Sequence, residues 1–228
     1  MSKWTLAIDT AAGVNIGLAN DCRPVDRRTE TSSRRHVELL QPMIDELLAA
    51  NRISLADLSL IAVGIGPGPF TGLRIGIVTA RTLGMAAGIA VRGFGTLDAI
   101  AMTWFTTNPP GTQAVVVTDA RRKELYWASY DASGSRVAGP AVGPPADVPS
   151  LPAGGPGVEV YPEVFAGRVP AGAPRGMDAA LVASRIGELS DAGLEPAYLR
   201  KPDAEAPKTR KSALAGGRLR LPKLKEAR

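Results

Sequence analysis

Residues 63–76 read VGIGPGPFTGLRIG, with five glycines, two prolines and one charged residue. The stretch follows a nearly all-apolar run, LSLIAVGI, and precedes a long apolar segment. It therefore joins a buried strand to a helix, the setting in which a phosphate-cradling loop occurs. Its spacing excludes that use. A Walker A loop places four residues between its glycines and then Lys, whereas Gly68 and Gly72 enclose three and Leu73-Arg74 follow. A dinucleotide fingerprint starting at Gly64 or Gly66 would need glycine where Pro69 or Thr71 stands.

Downstream of the loop, Gly72, Gly76, Ala80, Gly84 and Gly88 recur at every fourth residue. On a helix these form a slowly drifting stripe of small side chains, which predicts that another helix approaches closely. Large apolar residues fill the other sides, and Arg74 and Arg81 alone mark a polar edge. Upstream, a helix starting at His36 carries Val37, Leu39, Leu40, Met43, Ile44, Leu47 and Leu48 over an arc of about 180°, where packing on one sheet face needs little more than about 100°. Either these two helices pack on each other within one lobe, or a partner protein covers them. The second reading is preferred and predicts a partner-binding surface of His36, Leu40, Ile44 and Leu47 on the first helix and Gly72, Arg74, Ile75, Gly76 and Arg81 on the second. On that reading, a charged residue in place of Ile44 or Ile77 would abolish partner binding and leave a folded monomer.

Alternation and turn residues predict strands at Leu6 to Asp9, Val14 to Ala19 and VDRRTET, the last at a sheet edge. A short helix follows Ser54, with Asp57 completing a capping box, and Thr96 is expected to cap the helix LDAIAMTWF. The order of the first lobe is thus βββαβαβα over residues 1–106. A second, reduced lobe spans 107–199: QAVVVTDA and ELYWASYD pair across a turn at Arg121 to Lys123, loops surround one short strand near VEVY, and a last helix runs from about Asp178 to Asp191. Residues 200–228 read as a flexible basic tail.

One cysteine, Cys22, excludes an internal disulfide, and one histidine, His36, excludes two-histidine metal motifs. The net charge of +5 is uneven, because residues 200–228 hold ten Lys/Arg and three Asp/Glu. No apolar run is long enough to span a bilayer, and the N-terminus turns polar too soon for a signal peptide, so a cytoplasmic protein is expected. Asp9 and Asp119 each end a strand that is followed by a turn and a returning strand. That repetition makes both weak candidates for a nucleotide cleft in a duplicated, actin-like architecture.

Five stretches, LAIDTA, HVELLQPMI, GPGPFTGLRIG, DARRKELYWASY and PAYLR, together resemble the bacterial TsaB family, also called YeaZ, in the same order over residues 4 to 200. The chain departs from the family at Pro69, where Ser is common; this leaves Thr71 to cap the helix. The resemblance implies an actin-like ATPase (ASKHA, ribonuclease H-like) α/β fold of two lobes, the second one reduced. It also implies a role in making N6-threonylcarbamoyladenosine on tRNA, as the non-catalytic partner of the metal-containing paralogue TsaD. The ATPase TsaE joins that complex, tRNA is met through it, and family members self-associate when TsaD is absent. No catalytic residue, metal or cofactor of its own is expected. The competing reading is a stand-alone actin-like ATPase or kinase, with Asp9 and Asp119 flanking its cleft.

Overall fold

The computed structural model describes residues 3–31, 36–107, 109 and 111–200, without the side chains of His36 and Val37. The basic tail expected over 200–228 lies outside the described residues beyond Arg200.

Five strands form the first sheet: β1 (Trp4–Asp9), β2 (Val14–Asn20), β3 (Arg23–Glu30), β4 (Leu58–Gly64) and β5 (Ala90–Phe94), in the order β3-β2-β1-β4-β5. The β1-β2 and β2-β3 pairs are antiparallel, and the β1-β4 and β4-β5 pairs are parallel. The parallel crossovers are helices, α1 (His36–Ala50) before β4 and α2 (Phe70–Ala87) before β5; α3 (Thr96–Thr107) then closes the unit. A second sheet repeats the wiring in the order β8-β7-β6-β9, from β6 (Ala114–Arg121), β7 (Glu124–Tyr130), β8 (Arg136–Gly143) and the two-residue β9 (Ala153–Gly154). Again the first three strands pair antiparallel and the fourth joins the first in parallel. This repeated ribonuclease H-like unit is the actin-like ASKHA architecture, and the second copy is the smaller.

Strand alternation assigns the two faces of the first sheet. Leu6, Ile8, Val14, Ile16 and Leu18 pack with Leu40, Ile44 and Leu47 of α1 and with Leu73, Ile77 and Ala80 of α2. Ala7, Ala19 and Ala62 turn to the other face, against Leu97 and Trp104 of α3 and Val182 and Ala183 of α5 (Ala179–Ser184). The small residues are required there, because a Cβ on Gly17 of β2 would lie 2.2 Å from the Ala180 nitrogen. Burial of each large aliphatic side chain contributes about 1.5–3 kcal/mol, so the fully buried Leu40, Ile44 and Leu47 are core residues.

Several expectations change. Residues near VEVY form a helical turn, α4 (Gly157–Val160), and the second sheet gains β8 as its edge. The last helix stops at Ser184, and a 3-10 turn over Ile186–Glu188 replaces its second half. The segment from Asp178 onward, placed by sequence in the second lobe, packs back on the first sheet; beyond α5, Ala192 N–H donates to the Gly93 carbonyl and Ala197 N–H to the Ile65 carbonyl. The Ser54 capping box closes a 3-10 turn, Leu55–Asp57, with Asp57 Oδ2 accepting from the Ser54 N–H and hydroxyl at 2.7 Å each. Helix α2 starts at Phe70 after Pro69, so Thr71 lies inside it and does not cap it.

Candidate functional site

Each of the nine residues expected at the partner surface has a definite place except His36, whose side chain lies outside the described residues. Leu40 is 1% exposed, and Ile44 and Leu47 are 0% exposed. They cannot meet a partner in the folded chain. The wide apolar arc of α1 is consumed by the sheet on one side and by α2 on the other, which is the alternative left open by the sequence. Ile77, 3% exposed, belongs to the same core, so a charge at Ile44 or Ile77 would damage the fold itself.

The small-residue stripe of α2 also faces inward. Gly72, Gly76, Ala80 and Gly84 are buried, and their close neighbours lie on the sheet side. A Cβ on Gly76 would sit 2.4 Å from the Thr10 hydroxyl, and one on Gly84 2.4 Å from Val91. Thr10 follows β1 and puts its hydroxyl into the helix backbone: Oγ1 donates to the Gly72 carbonyl at 2.7 Å and accepts from Gly76 N–H at 3.1 Å. The stripe therefore seats the helix on its own sheet, against Thr10 after β1 and Val91 of β5. Ile75 is half-buried against the same core.

The opposite face of α2 is exposed. Phe70, Arg74, Val78, Arg81 and Met85 follow one another at steps of four, four, three and four and share one side. Val78 is 60% and Met85 86% exposed, unlike the inward stripe. At the helix start the C-terminal segment closes over this face. The Phe70 and Tyr198 rings stack with centroids 4.7 Å apart, the Arg74 guanidinium lies 3.8 Å from the Phe70 centroid, and Arg74 Nε donates to the Tyr198 hydroxyl at 2.9 Å. Of the predicted set, then, Arg74 and Arg81 are on the outer surface, and Phe70, Val78 and Met85, which the sequence reading did not assign to it, share it. The signal was present: Arg74 and Arg81 mark the solvent side, and Val78 and Met85 lie beside them at helical spacing.

Asp9 ends β1 at a cleft, as its sequence reading has it, but its side chain is closed off. It borders an inter-lobe cleft of about 590 Å³, with Thr96, Thr103, Arg27, Arg175 and Asp178 among the lining residues. Its carboxylate is 1% exposed, packed so closely on Gly64 that a Cβ there would lie 1.9 Å from Oδ2. Oδ1 accepts the Ala11 N–H at 2.9 Å and Oδ2 accepts the Thr96 hydroxyl at 2.6 Å. Thr96 thus binds Asp9 in place of the expected capping role. Burial pushes the Asp9 carboxyl above its ordinary range, against the pull of the two hydrogen bonds. The cleft's cations are engaged as well, Arg27 with Asp178 and Arg175 with Glu159. This donor set does not suit a magnesium-bound phosphate. Asp119 is outside the cleft lining; its carboxylate accepts the Arg121 N–H at 2.8 Å and pairs with the Arg121 guanidinium.

Residues 29–206 match the profile of a family described as TsaD, tRNA N6-adenosine threonylcarbamoyltransferase. A solved structure titled YeaZ from Pseudomonas aeruginosa superposes with a TM-score of 0.67 at 26% identity, covering 86% of this chain and 100% of that one. The Escherichia coli protein named tRNA threonylcarbamoyladenosine biosynthesis protein TsaB is 38% identical over 126 residues, 55% of this chain and 54% of that protein. The chain belongs to the TsaB (YeaZ) family. The match thus spans about half of the E. coli TsaB, whereas a Mycobacterium tuberculosis relative, Uncharacterized protein Rv3421c, is 42% identical over 209 residues, 88% of this chain and 93% of that one. Among the described residues no helix is long and apolar enough to cross a membrane.

Proposed function

We propose that this chain is a non-catalytic subunit of the machinery that makes N6-threonylcarbamoyladenosine on tRNA, and that it supports a catalytic TsaD paralogue by binding it through the outer face of α2. The observation that carries the reading is that face: a row of exposed Phe70, Val78 and Met85 interrupted by Arg74 and Arg81, on a helix whose inner face is already filled. Exposed apolar side chains in a row on a rigid helix suit a protein partner, and an unbranched Met adapts well to such a surface. Both the family and the name of the E. coli relative support the pathway. On this reading the chain needs no cofactor of its own, works in the cytoplasm, meets the ATPase TsaE and tRNA within the assembly, and uses the same face for self-association when the paralogue is absent.

A second reading, a stand-alone actin-like ATPase or kinase, draws on the inter-lobe cleft with Asp9 at its edge. It is the weaker one, because both Asp9 oxygens are already hydrogen-bonded and nearly unexposed. Co-expression with the TsaD paralogue separates the two. Stable co-purification, and tRNA modification that requires this chain, are expected. Micromolar binding of magnesium-ATP to the isolated chain, lost in Asp9→Ala, would favour the ATPase instead.

A further inference from the structure

Arg74 and Arg81 share the exposed face of α2 but are held differently. The Arg74 guanidinium lies 3.8 Å from the Phe70 centroid and 6.0 Å from that of Tyr198, and its Nε donates to the Tyr198 hydroxyl at 2.9 Å. Tyr198 is itself fixed, because its segment is laid against the first sheet. A Cβ on Gly93 would lie 1.6 Å from the Gly193 carbonyl oxygen, and Ala197 N–H donates to the Ile65 carbonyl at 2.8 Å. Arg81, two turns along the helix, has no comparable hold among the described residues.

An arginine that only keeps a helix surface wet needs no such clamp. This clamp also leaves the charge unmet. Helix α2 contains no acidic residue, and among the described residues neither Arg74 nor Arg81 has a carboxylate partner, Glu195 of the Tyr198 segment included. Tyr198 takes the Nε side of the guanidinium and Phe70 covers one flat face, so the edge formed by Nη1 and Nη2 stays open to an acceptor. Two parallel N–H donors on that edge match the two oxygens of a carboxylate. The rotamer freedom of the side chain is already spent in the free chain, so an arriving anion meets a preorganised donor.

Given the reading of this face as the site for the TsaD paralogue, we infer that Arg74 is the receptor for a carboxylate of that paralogue, an Asp or Glu set among apolar residues that cover Val78 and Met85. Charge complementarity selects this occupant. A face with two arginines and no acid attracts an acidic surface and repels a basic one. A second copy offering the same helix face would set arginine against arginine, so it is the poorer occupant. Arginine held by aromatic rings and ringed by apolar contacts has the character of an interface hot spot, because those contacts keep water from the pair.

The decisive measurement is calorimetric titration of the full chain with the purified TsaD paralogue, from about 50 to 300 mM KCl. Arg74→Gln is expected to weaken binding about 30-fold or more and to remove most of the salt dependence. Arg74→Lys keeps the charge but not the fork, and should lose about tenfold. Tyr198→Phe keeps the ring but frees Nε, and should lose several-fold with the salt dependence retained. Arg81→Gln, with no clamp to lose, should cost no more than about threefold. Thermal melts should show all four variants folded. Two results would overturn the proposal: a loss in Arg74→Gln no greater than in Arg81→Gln, or a large loss with unchanged salt dependence, which would reduce Arg74 to packing of the Tyr198 segment. So would an Arg74-dependent homodimer in sedimentation with paralogue binding insensitive to Arg74, which gives the site to a second copy. Val78→Glu is titrated alongside. Binding abolished by Val78→Glu and untouched by Arg74→Gln sinks this inference alone, whereas a wild-type chain that does not bind the paralogue sinks the proposed function as well.

Discussion

The hydroxyl of Thr10 occupies the place where a side chain at Gly76 would stand, 2.4 Å from an ideal Cβ, and accepts the Gly76 N–H at 3.1 Å. One loop residue after β1 thereby sets how deeply α2 seats on its sheet. Since the hydroxyl also donates to the Gly72 carbonyl, it is inserted into the helix ladder between a carbonyl and the N–H four residues on.

Gly76→Ala is therefore expected to destabilise the fold by about 1–2 kcal/mol, the overpacking cost exceeding the roughly 1 kcal/mol gained in helix propensity. For a chain of this size the melting temperature would fall by about 2–8 °C. In a Thr10→Ala background the obstruction is gone, and the same substitution should become neutral or stabilising. Equal losses in both backgrounds would show that Thr10 is not the cause.

Val78→Glu and Met85→Glu probe the outer face of α2. Both side chains are largely exposed, so stability should change by no more than about 0.5 kcal/mol. Affinity for the TsaD paralogue should fall about 100-fold or more, equivalent to about 2.7 kcal/mol. Ile44→Glu, at a fully buried position, should instead unfold the protein by burying a charge with no partner. Melting curves and titration of the paralogue distinguish the two classes.

Asp9→Asn should stabilise the protein at neutral pH. Burial raises the folded carboxyl above its ordinary value near 3.8, so between that value and the folded one the native state binds more protons than the unfolded state. Unfolding free energy then decreases as pH rises through this window. The ionised carboxylate is a standing cost above it, and Asn removes that cost while keeping an acceptor for the Ala11 N–H. Melting should rise by about 2–4 °C for each kcal/mol relieved at pH 7, and the difference from wild type should vanish as pH falls toward 4. An Asp9→Asn melt lower than wild type at pH 7 would contradict this account.

Lys123→Asn relieves one of the left-handed residues of the β6-β7 tip, at φ 63°. A gain of about 0.5–1 kcal/mol is expected from differential scanning calorimetry, since Asn tolerates this backbone.

Much of the wiring could be read directly from the chain. Alternation in WTLAID and VNIGLAN, the apolar run before Gly64 and the four-residue rhythm after Phe70 each have one physical solution, so β1, β2, β4 and α2 fell within a few residues of their places. Failures came where local pattern is weak. GVEV is four residues long and shares its apolar alternation with a strand, yet packing under Val117 and Leu125 turns it into a helical turn. β8, with Gly139 and Pro140 in its middle, reads as a loop and forms a strand because β7 offers an unpaired edge.

The sequence by itself determined that no phosphate loop follows the buried strand, that one histidine and one cysteine leave few chemical tools, and that the chain resembles the TsaB family across residues 4 to 200. Only the tertiary structure decided which way α2 and Asp9 face. Arg74 and Arg81 mark one outward edge of α2, but its small-residue stripe and its large apolar side chains compete for the inward side, and periodicity alone does not rank them. The choice fell to the sheet: Thr10 and Val91 leave room only for glycine, so the small stripe turned inward and Val78 and Met85 were left outside. Asp9 likewise ends a strand whether open or sealed, and it was Gly64 and Thr96, distant in sequence, that closed over its carboxylate.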